Sequence, residues 1–210
     1  MKKIIQPAGL LLIAFYMATL GGCAIGKRVP SATEYDLGPS PVATLASPAQ
    51  PALAVLPAIS VAEVLAPIWL DTPMMYYRLA YVNDQQPRQY GGSRWTMPPA
   101  QLFAQRLKSR LAQSGSAVLS ASDGAANVPL LRLEADDFTQ TFSSPGQSVG
   151  RVAIRASLFN VRTLIAYKTF VVERPATTAD ANGGALALAN ASDAVIADIT
   201  AWLSQVPLKK

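Results

Sequence analysis

The chain has 210 residues, a formal net charge of +5, no histidine and one cysteine. The absence of histidine excludes the Ser-His-Asp arrangement, the commonest general base and the usual zinc sites, and a lone cysteine cannot form an internal disulfide. The basic residues are scattered and not interleaved with aromatic residues, which argues against nucleic acid binding. Carboxylate, lysine, tyrosine and serine side chains remain available for catalysis, and we expect no cofactor, no metal site and no nucleic acid partner.

The N-terminus has the features of a secretory signal. Lys2 and Lys3 precede the apolar residues 8–18, a run too short to span a bilayer comfortably. The next motif, Leu20-Gly21-Gly22-Cys23, resembles the bacterial lipobox, which implies that residues 1–22 are removed and that Cys23 is lipidated. The alternatives are an ordinary signal peptide with an incidental cysteine and a small apolar helix with a buried thiol. We favour lipidation because the only cysteine stands at the position that the lipobox requires.

Lipidation would attach the rest of the chain to a membrane as a soluble domain. Each buried methylene contributes about 0.8 kcal/mol, so the two or three acyl chains of a bacterial lipoprotein bind almost irreversibly. Ala24 follows the cysteine, where retention in the inner membrane typically needs Asp. By resemblance to Gram-negative sorting we expect the periplasmic face of the outer membrane, a flexible acylated tether at residues 23–33, and a single domain at residues 34–210.

The first part of this domain predicts short strands separated by irregular segments. Tyr35-Asp36-Leu37-Gly38 alternates as a strand does, and residues 39–51, rich in Pro, Ala and Ser, predict an irregular excursion. Even spacing then predicts a strand that contains Leu53, Val55, Ile59 and Val61 and is interrupted near Pro57. After a turn at residues 68–73, residues 74–82 predict a strand covered on both faces, and the polar residues 83–93 predict a loop.

The next segment predicts a helix and a short strand. Thr96 is the predicted N-cap, and Pro98 and Pro99 suit a first turn, where their missing N–H groups are not needed. Gly115 is expected to end the helix, before a short strand at residues 117–119. One stripe of the helix is apolar, formed by Leu102, Phe103, Leu107 and Leu111.

The centre of the domain predicts an antiparallel meander. Leu131, Leu133 and Ala135 share one face of a strand, whereas Phe138 and Phe142 have the opposite parity, which predicts a bulge near Asp136-Asp137. A turn at residues 143–150 precedes a cleanly alternating strand and a third strand at residues 163–173. The inward side chains of the alternating strand are predicted to be Val152, Ile154, Ala156 and Leu158.

A second helix closes the chain, with Gly183-Gly184 expected before it and Pro207 after it. Its apolar stripe recurs at three- and four-residue spacings and comprises Leu188, Ala191, Val195, Ile199 and Trp202. These elements predict an α+β fold with a mainly antiparallel sheet and two main helices packed on one face.

Two acidic motifs resemble catalytic or metal sites. Asp136 and Asp137 are adjacent, but successive side chains of a strand point to opposite faces, so they share a proton only if a bulge brings them together. Asp180-Ala181-Asn182-Gly183 lacks the spacing and the closing Glu of a calcium loop. We interpret this second motif as turn residues or a helix cap.

Short motifs along the whole mature chain resemble the auxiliary lipoproteins of the PqiC/YmbA type. They are the lipobox, Tyr35-x-Leu37, Leu70-Asp71-x-Pro73-x-x-x-Tyr77-Arg78, Tyr90 with Trp95-x-x-Pro98, Leu133-x-x-x-x-Phe138-x-Gln140 and the Ala-rich helix that ends in Trp202. The chain departs from the family pattern at Met97 and Pro99 and in its long Pro/Ala segment.

The resemblance implies a non-enzymatic lipoprotein of the outer membrane. Proteins of this type accompany ABC-type transporters and their membrane-anchored MCE (MlaD-like) proteins, so the implied role is to dock the periplasmic MCE assembly of a lipid transport system that contributes to membrane integrity. Aromatic and Arg side chains dominate binding hot spots. The expected contact region is therefore Tyr76, Tyr77, Arg78, Tyr90 and Trp95.

Other interpretations stay open at this point. The first alternative is that the contact residues form a packed core, with Arg78 paired to a carboxylate such as Asp71. The second is a periplasmic carrier that binds a lipid or another apolar ligand in its own pocket. A structural lipoprotein of the cell envelope without a transport role is the third possibility.

Overall fold

The structure is a computed structural model that describes residues 31–39, 57–125 and 127–207. Cys23, the signal peptide, most of the tether, the Pro/Ala segment and the residues Leu53 and Val55 lie outside the described residues. The described residues from Ala32 onwards form one compact unit. Its elements are β1 (Thr33–Tyr35), β2 (Ile59–Leu65), β3 (Met74–Leu79), α1 (Ala80–Asn83), β4 (Asp84–Trp95), α2 (Pro99–Gln113), β5 (Val118–Ser120), β6 (Leu130–Ser144), β7 (Gln147–Asn160), β8 (Thr163–Pro175) and α3 (Ala181–Gln205).

Strand β6 is the centre of the sheet. It pairs with β7 in antiparallel fashion, and β7 pairs likewise with β8. On its other side β6 pairs in parallel with β2 along its first half and with β3 along its second half. β4 lies beside β3, β1 beside β4, and β5 beside β2. The sheet is therefore mixed, its longest pairings are antiparallel, and the predicted α+β fold is confirmed.

The bulge predicted in β6 is present. The register between β6 and β7 shifts between Ala135 and Asp137. One extra residue reverses the alternation, so Leu133 and Phe138, which have opposite parity, are both buried on the same side of the sheet. The inward side chains predicted for β7 are also buried: Val152, Ile154, Ala156 and Leu158.

Helices α2 and α3 contribute to one hydrophobic core. The predicted stripe of α2 is buried against β2 and β5. That of α3 is buried against β6, β7 and β8, except that Trp202 is only partly buried. By length and hydropathy α3 passes for a membrane span, but its buried face belongs to this core. Arg106 of α2 joins the two helices through a two-bond ion pair with Asp193 of α3, at 2.6 and 2.7 Å.

The prediction of a loop at residues 83–93 is wrong. Residues Asp84–Trp95 form strand β4, which pairs antiparallel with β3. β4 lies near one edge of the sheet, because only the short strand β1 lies beyond it. An outer strand has one free edge and solvated side chains, so it tolerates polar residues, Pro87 and the glycines at 91 and 92. The composition that indicated a loop also suits this position.

The strand predicted at residues 74–82 is too long. β3 ends at Leu79, and Ala80–Asn83 form the single helical turn α1. Tyr81 and Val82 are exposed, so the expectation that both faces are covered fails in this part. The turn is needed because β4 follows at once and must reverse direction to pair with β3.

The helix ends also differ from the prediction. Thr96 is not the N-cap of α2, because Pro98 occupies that position without a side-chain cap bond; Pro99 does occupy the first turn, and Gly115 follows the helix with φ 85°. Gly183 and Gly184 lie inside the first turn of α3 rather than before it, and Asp180 is the N-cap.

Candidate functional site

Strands β3 and β4 bring the aromatic residues of the expected contact region together. Tyr77 of β3 stacks on Tyr90 of β4 with ring centroids 4.6 Å apart, and the ring of Phe142 on β6 lies 5.9 Å from that of Tyr77. Tyr77 and Tyr90 are both half-buried. They therefore form a small aromatic cluster that is open to solvent on one side.

A buried polar network fixes the ring of Tyr90 beneath this cluster. Its hydroxyl donates to Oε1 of Gln140 at 2.8 Å, and Nε2 of the fully buried Gln140 donates to the Ser148 hydroxyl at 2.8 Å. Burial, followed by the charges of Tyr77 and Asp180, raises the pKa of Tyr90 above the ordinary phenol value. The phenol therefore stays neutral and remains a hydrogen-bond donor.

Arg78 lies on the opposite face of β3 from Tyr77. Its Nη1 donates to the carbonyl oxygen of Asp84 at 2.8 Å, and its guanidinium lies 5.6 Å from the ring centre of Trp69. This placement replaces the pairing with Asp71 that we considered from the sequence. Arg78 is partly exposed, and a carbonyl bond and a cation–π contact hold its side chain extended along the surface.

Tyr76 and Trp95 lie in the core. Trp95 is 1% exposed and packs on Phe138 at 5.5 Å, and Tyr76 is 7% exposed and packs on Trp69 at 5.2 Å. A partner cannot reach either ring in this structure. The contact hypothesis therefore narrows to Tyr77, Arg78 and Tyr90.

Trp69 and the exposed apolar residues near it form a surface that was not predicted from the sequence. Trp69 contacts both Tyr76 and Arg78, and the neighbouring Ile68 is 91% exposed. Leu65 and Met74, which flank the same turn, are exposed as well. A run of apolar residues inside a turn that contains Pro67 and Pro73 is the sequence signal that indicates such a surface.

The acidic pair Asp136-Asp137 has no catalytic arrangement in the structure. Asp136 accepts two hydrogen bonds from Arg155, at 2.7 and 2.9 Å, and Asp137 accepts from Thr139 at 2.8 Å and lies 3.3 Å from Arg151. Burial raises the pKa of Asp137, although the Thr139 hydrogen bond and the nearby arginines oppose this shift. Each carboxylate is thus engaged in its own hydrogen bonds and ion pairs.

Asp180 is a helix cap, as one of our two interpretations proposed. Its side chain accepts from the N–H of Gly183 at 2.8 Å and from the hydroxyl of Thr178 at 2.7 Å, and these bonds lower the pKa of the carboxyl group. Among residues 31–39, 57–125 and 127–207, no cluster of His, Cys, Asp and Glu side chains is suited to hold a metal ion.

The surface also contains a cavity of about 490 Å³ between β2, α2 and β5. Its lining is mixed, with apolar side chains such as Val61, Leu65 and Leu133 beside the charged Glu63, Lys108, Arg132 and Glu134. Sites for apolar ligands are lined predominantly by hydrophobic and aromatic side chains. The cavity meets this description only in part.

Comparisons with known proteins agree with the resemblance found in the motifs. The crystal structure of protein XCC0632 from Xanthomonas campestris is similar with a TM-score of 0.65, 21% identity, and coverage of 74% of this chain and 88% of that one. A second crystal structure, of an uncharacterized protein, has a TM-score of 0.60, 16% identity, and coverage of 82% and 98%. No curated protein matches the chain. At these identities the two structures show a shared fold.

The family described as "ABC-type transport auxiliary lipoprotein component" matches residues 35–200. This match includes all the described strands and helices except β1 and the last residues of α3. It also contains the aromatic cluster and Arg78. The chain therefore belongs to the family of ABC-type transport auxiliary lipoprotein components.

Proposed function

We propose that this protein is an outer-membrane-anchored, non-enzymatic docking component of an ABC-type MCE transport system for lipids that contributes to membrane integrity. The observation that carries the proposal is the family match over residues 35–200. Membership gives the transport role, and the lipobox and the exposed part of the β3–β4 surface support the finer assignments.

The anchor is the first of these assignments. Lipidation of Cys23 would anchor the protein, and position 24 is Ala rather than the Asp that typically retains a lipoprotein in the inner membrane. Both features favour the periplasmic face of the outer membrane. A tether of residues 23–33 reaches roughly 35 Å when it is fully extended. Such confinement raises the effective concentration of the domain near the membrane toward the millimolar range, so a weak contact is sufficient to capture a partner.

The second assignment is the contact surface, which has two parts: Tyr77 and Tyr90 on one face of β3 and β4, and Arg78 beside Trp69 on the other. Aromatic and Arg side chains that are already held in place lose little conformational entropy on binding. The Gln140 hydrogen bond holds Tyr90, and the Asp84 carbonyl and Trp69 hold Arg78. The occupant that we propose is the periplasmic MCE-type protein of the transporter.

The third assignment is the absence of enzymatic activity. The chain lacks histidine, and its only cysteine is the proposed lipid attachment site. Asp136 and Asp137 are engaged by arginines. The carrier alternative is not favoured over docking, because the 490 Å³ cavity has a mixed lining of apolar and charged side chains.

The test combines anchoring, binding and complementation in a strain that lacks the native protein. Cys23→Ser should abolish incorporation of radiolabelled palmitate and should impair complementation, and wild-type protein should appear in the outer-membrane fraction. Full complementation by unanchored protein would contradict the docking role. Wild-type protein found only in the inner membrane would contradict the sorting assignment.

The contact surface is tested by pull-down of MCE-type proteins from the same cells. Arg78→Ala and Tyr90→Ala should each reduce capture while the circular dichroism spectrum is unchanged. Arg94→Ala is the matched control, since Arg94 is an exposed arginine of β4 that pairs with Glu34. Normal capture by both folded contact variants would show that the surface lies elsewhere. Stoichiometric phospholipid in organic extracts of the purified protein would instead support the carrier.

A further inference from the structure

Strand β8 is a long edge of the sheet. It has 13 residues and pairs with β7, and no other described strand pairs with it. Its register with β7 is unbroken from Ala166 to Pro175. One side of this strand therefore presents a regular row of free backbone N–H and C=O groups.

Exposed apolar side chains accompany these free backbone groups. Tyr167 is 77% exposed and Val171 is 49% exposed, and both point away from the buried Phe170. Leu164 and Ile165 near the β7–β8 turn are exposed too. Proteins usually protect such an edge, because a long, flat, apolar edge strand pairs readily with another chain.

The opposite side of the sheet shows the usual protection. β4 contains Pro87 and glycines at positions 91 and 92, its free part is polar, and β1 covers its end at residues 93–95. β8 has no proline, glycine or register shift between Ala166 and Val172, and Lys168 is the one charged residue there. The contrast indicates that the open edge of β8 is retained for an interaction.

The charge of this region identifies the kind of partner. The charged residues of β8 are Lys168, Glu173 and Arg174, and Glu173 pairs with Arg151. Lys168 lies 5.1 Å from the ring centre of Phe170 and has no ion pair in the part of the chain that the structure describes. A strand laid beside β8 therefore meets the positive charge of Lys168 on one face and the apolar side chains of Tyr167 and Val171 on the other.

We propose that β8 is the docking edge for an extended acidic segment of a partner protein, which adds to the sheet as a further strand. Main-chain hydrogen bonds would supply affinity. Apolar side chains of the segment would lie beside Tyr167 and Val171, and its acidic side chains would lie beside Lys168 on the other face. An anionic lipid surface is disfavoured because the face of Tyr167 and Val171 also carries the carboxylates of Glu134 and Asp136.

Docking of a strand on β8 is independent of the transporter that the protein serves. The contact surface proposed above lies on β3 and β4, which are separated from β8 by β6 and β7 in the sheet. A partner strand on β8 would thus be a second, separate interface. Each of the two surfaces can be disrupted without changing the other.

The experiment uses the full chain and two kinds of probe. The first is a fluorescent ten-residue peptide that alternates Val or Thr with Glu, compared with its Lys counterpart. We expect saturable binding of the acidic peptide, slower hydrogen exchange of the β8 amides, and at least about tenfold weaker binding by Lys168→Glu. Arg88→Glu on β4 is the matched control and should bind as wild type. Equal or absent binding of the two peptides, or protection of another strand, would overturn the proposal.

The second probe is a photoreactive amino acid at Thr169 in cells, with position Gln86 on β4 as the control. Thr169 is an exposed residue of β8 that lies between Tyr167 and Val171 on the open face. Mass spectrometry should locate the crosslink in an acidic extended segment of another protein. An adduct with a second copy, an adduct with lipid or no adduct at position 169 would each refute the proposed occupant.

Discussion

Replacing Arg106 by Met should cause one of the largest losses of stability available in this domain. The Arg106 side chain is 6% exposed and that of Asp193 is 24% exposed. The guanidinium donates two hydrogen bonds to this carboxylate and also donates to the carbonyl oxygens of Leu37 and Gly38, both at 2.9 Å. Its removal leaves a mostly buried carboxylate and two carbonyl groups without their donor.

The expected cost of Arg106→Met is about 3 kcal/mol, at the lower end of the range for a broken buried ion pair because Asp193 keeps some contact with water. For a domain of this size, with a urea m-value of roughly 2 kcal/mol/M, the unfolding midpoint should fall by about 1.5 M. The fluorescence of the buried Trp95 provides the signal. Arg106→Met combined with Asp193→Leu should recover part of the loss, since the orphaned charge is then absent.

Arg94→Met is the matched control for this measurement. Arg94 forms an ion pair with Glu34, but both side chains are about half exposed. Exposed pairs contribute under about 1 kcal/mol. If Arg106→Met costs no more than Arg94→Met, the buried pair does not hold α2, α3 and the segment after β1 together, and the reasoning is wrong.

Three further predictions concern the α3 interface. Gly150→Ala should destabilise the fold by about 1–3 kcal/mol, because its Cβ would overlap the α3 backbone, whereas Gly146→Ala has open space and should change little in urea titrations. Tyr90→Phe should cost about 1–3 kcal/mol in the same titrations, because it removes a donor from the buried Gln140 oxygen. Asp180 has a lowered pKa, so its stabilising contribution is present above the ordinary value of 3.8 and is lost as the pH falls through the lowered value. This part of the acid dependence of the melting temperature should disappear in Asp180→Asn, and its persistence would contradict the capping role.

The parts of the fold that could be predicted are those in which the core determines the pattern. The change of parity between Leu133 and Phe138 identified the bulge, because both side chains must be buried on one side of the sheet. The stripe from Leu102 to Leu111 predicted the buried face of α2 for the same reason. Local sequence alone contained this information.

β4 could not be predicted, because its residues owe their strand conformation to pairing with β3 rather than to burial. The same limit applies to the candidate site. Alternation places Tyr76 and Tyr77 on opposite faces, but it does not indicate that Trp69 covers Tyr76 while Tyr77 stays partly open. Those facts depend on the turn before β3, which is distant from β4 in sequence and adjacent in space.

The clamp of Arg106 on Leu37 and Gly38 has a mechanical consequence. Any tension carried by the tether enters the described domain at Thr33, the first residue of β1. β1 pairs in parallel with the last residues of β4, so a pull along β1 loads these hydrogen bonds in shear, together, rather than one after another. The two carbonyl bonds of Arg106 immediately after β1 pass the load to α2 and, through Asp193, to α3. The point of attachment is thus braced by both main helices, and a domain held at one end would resist being peeled from that end.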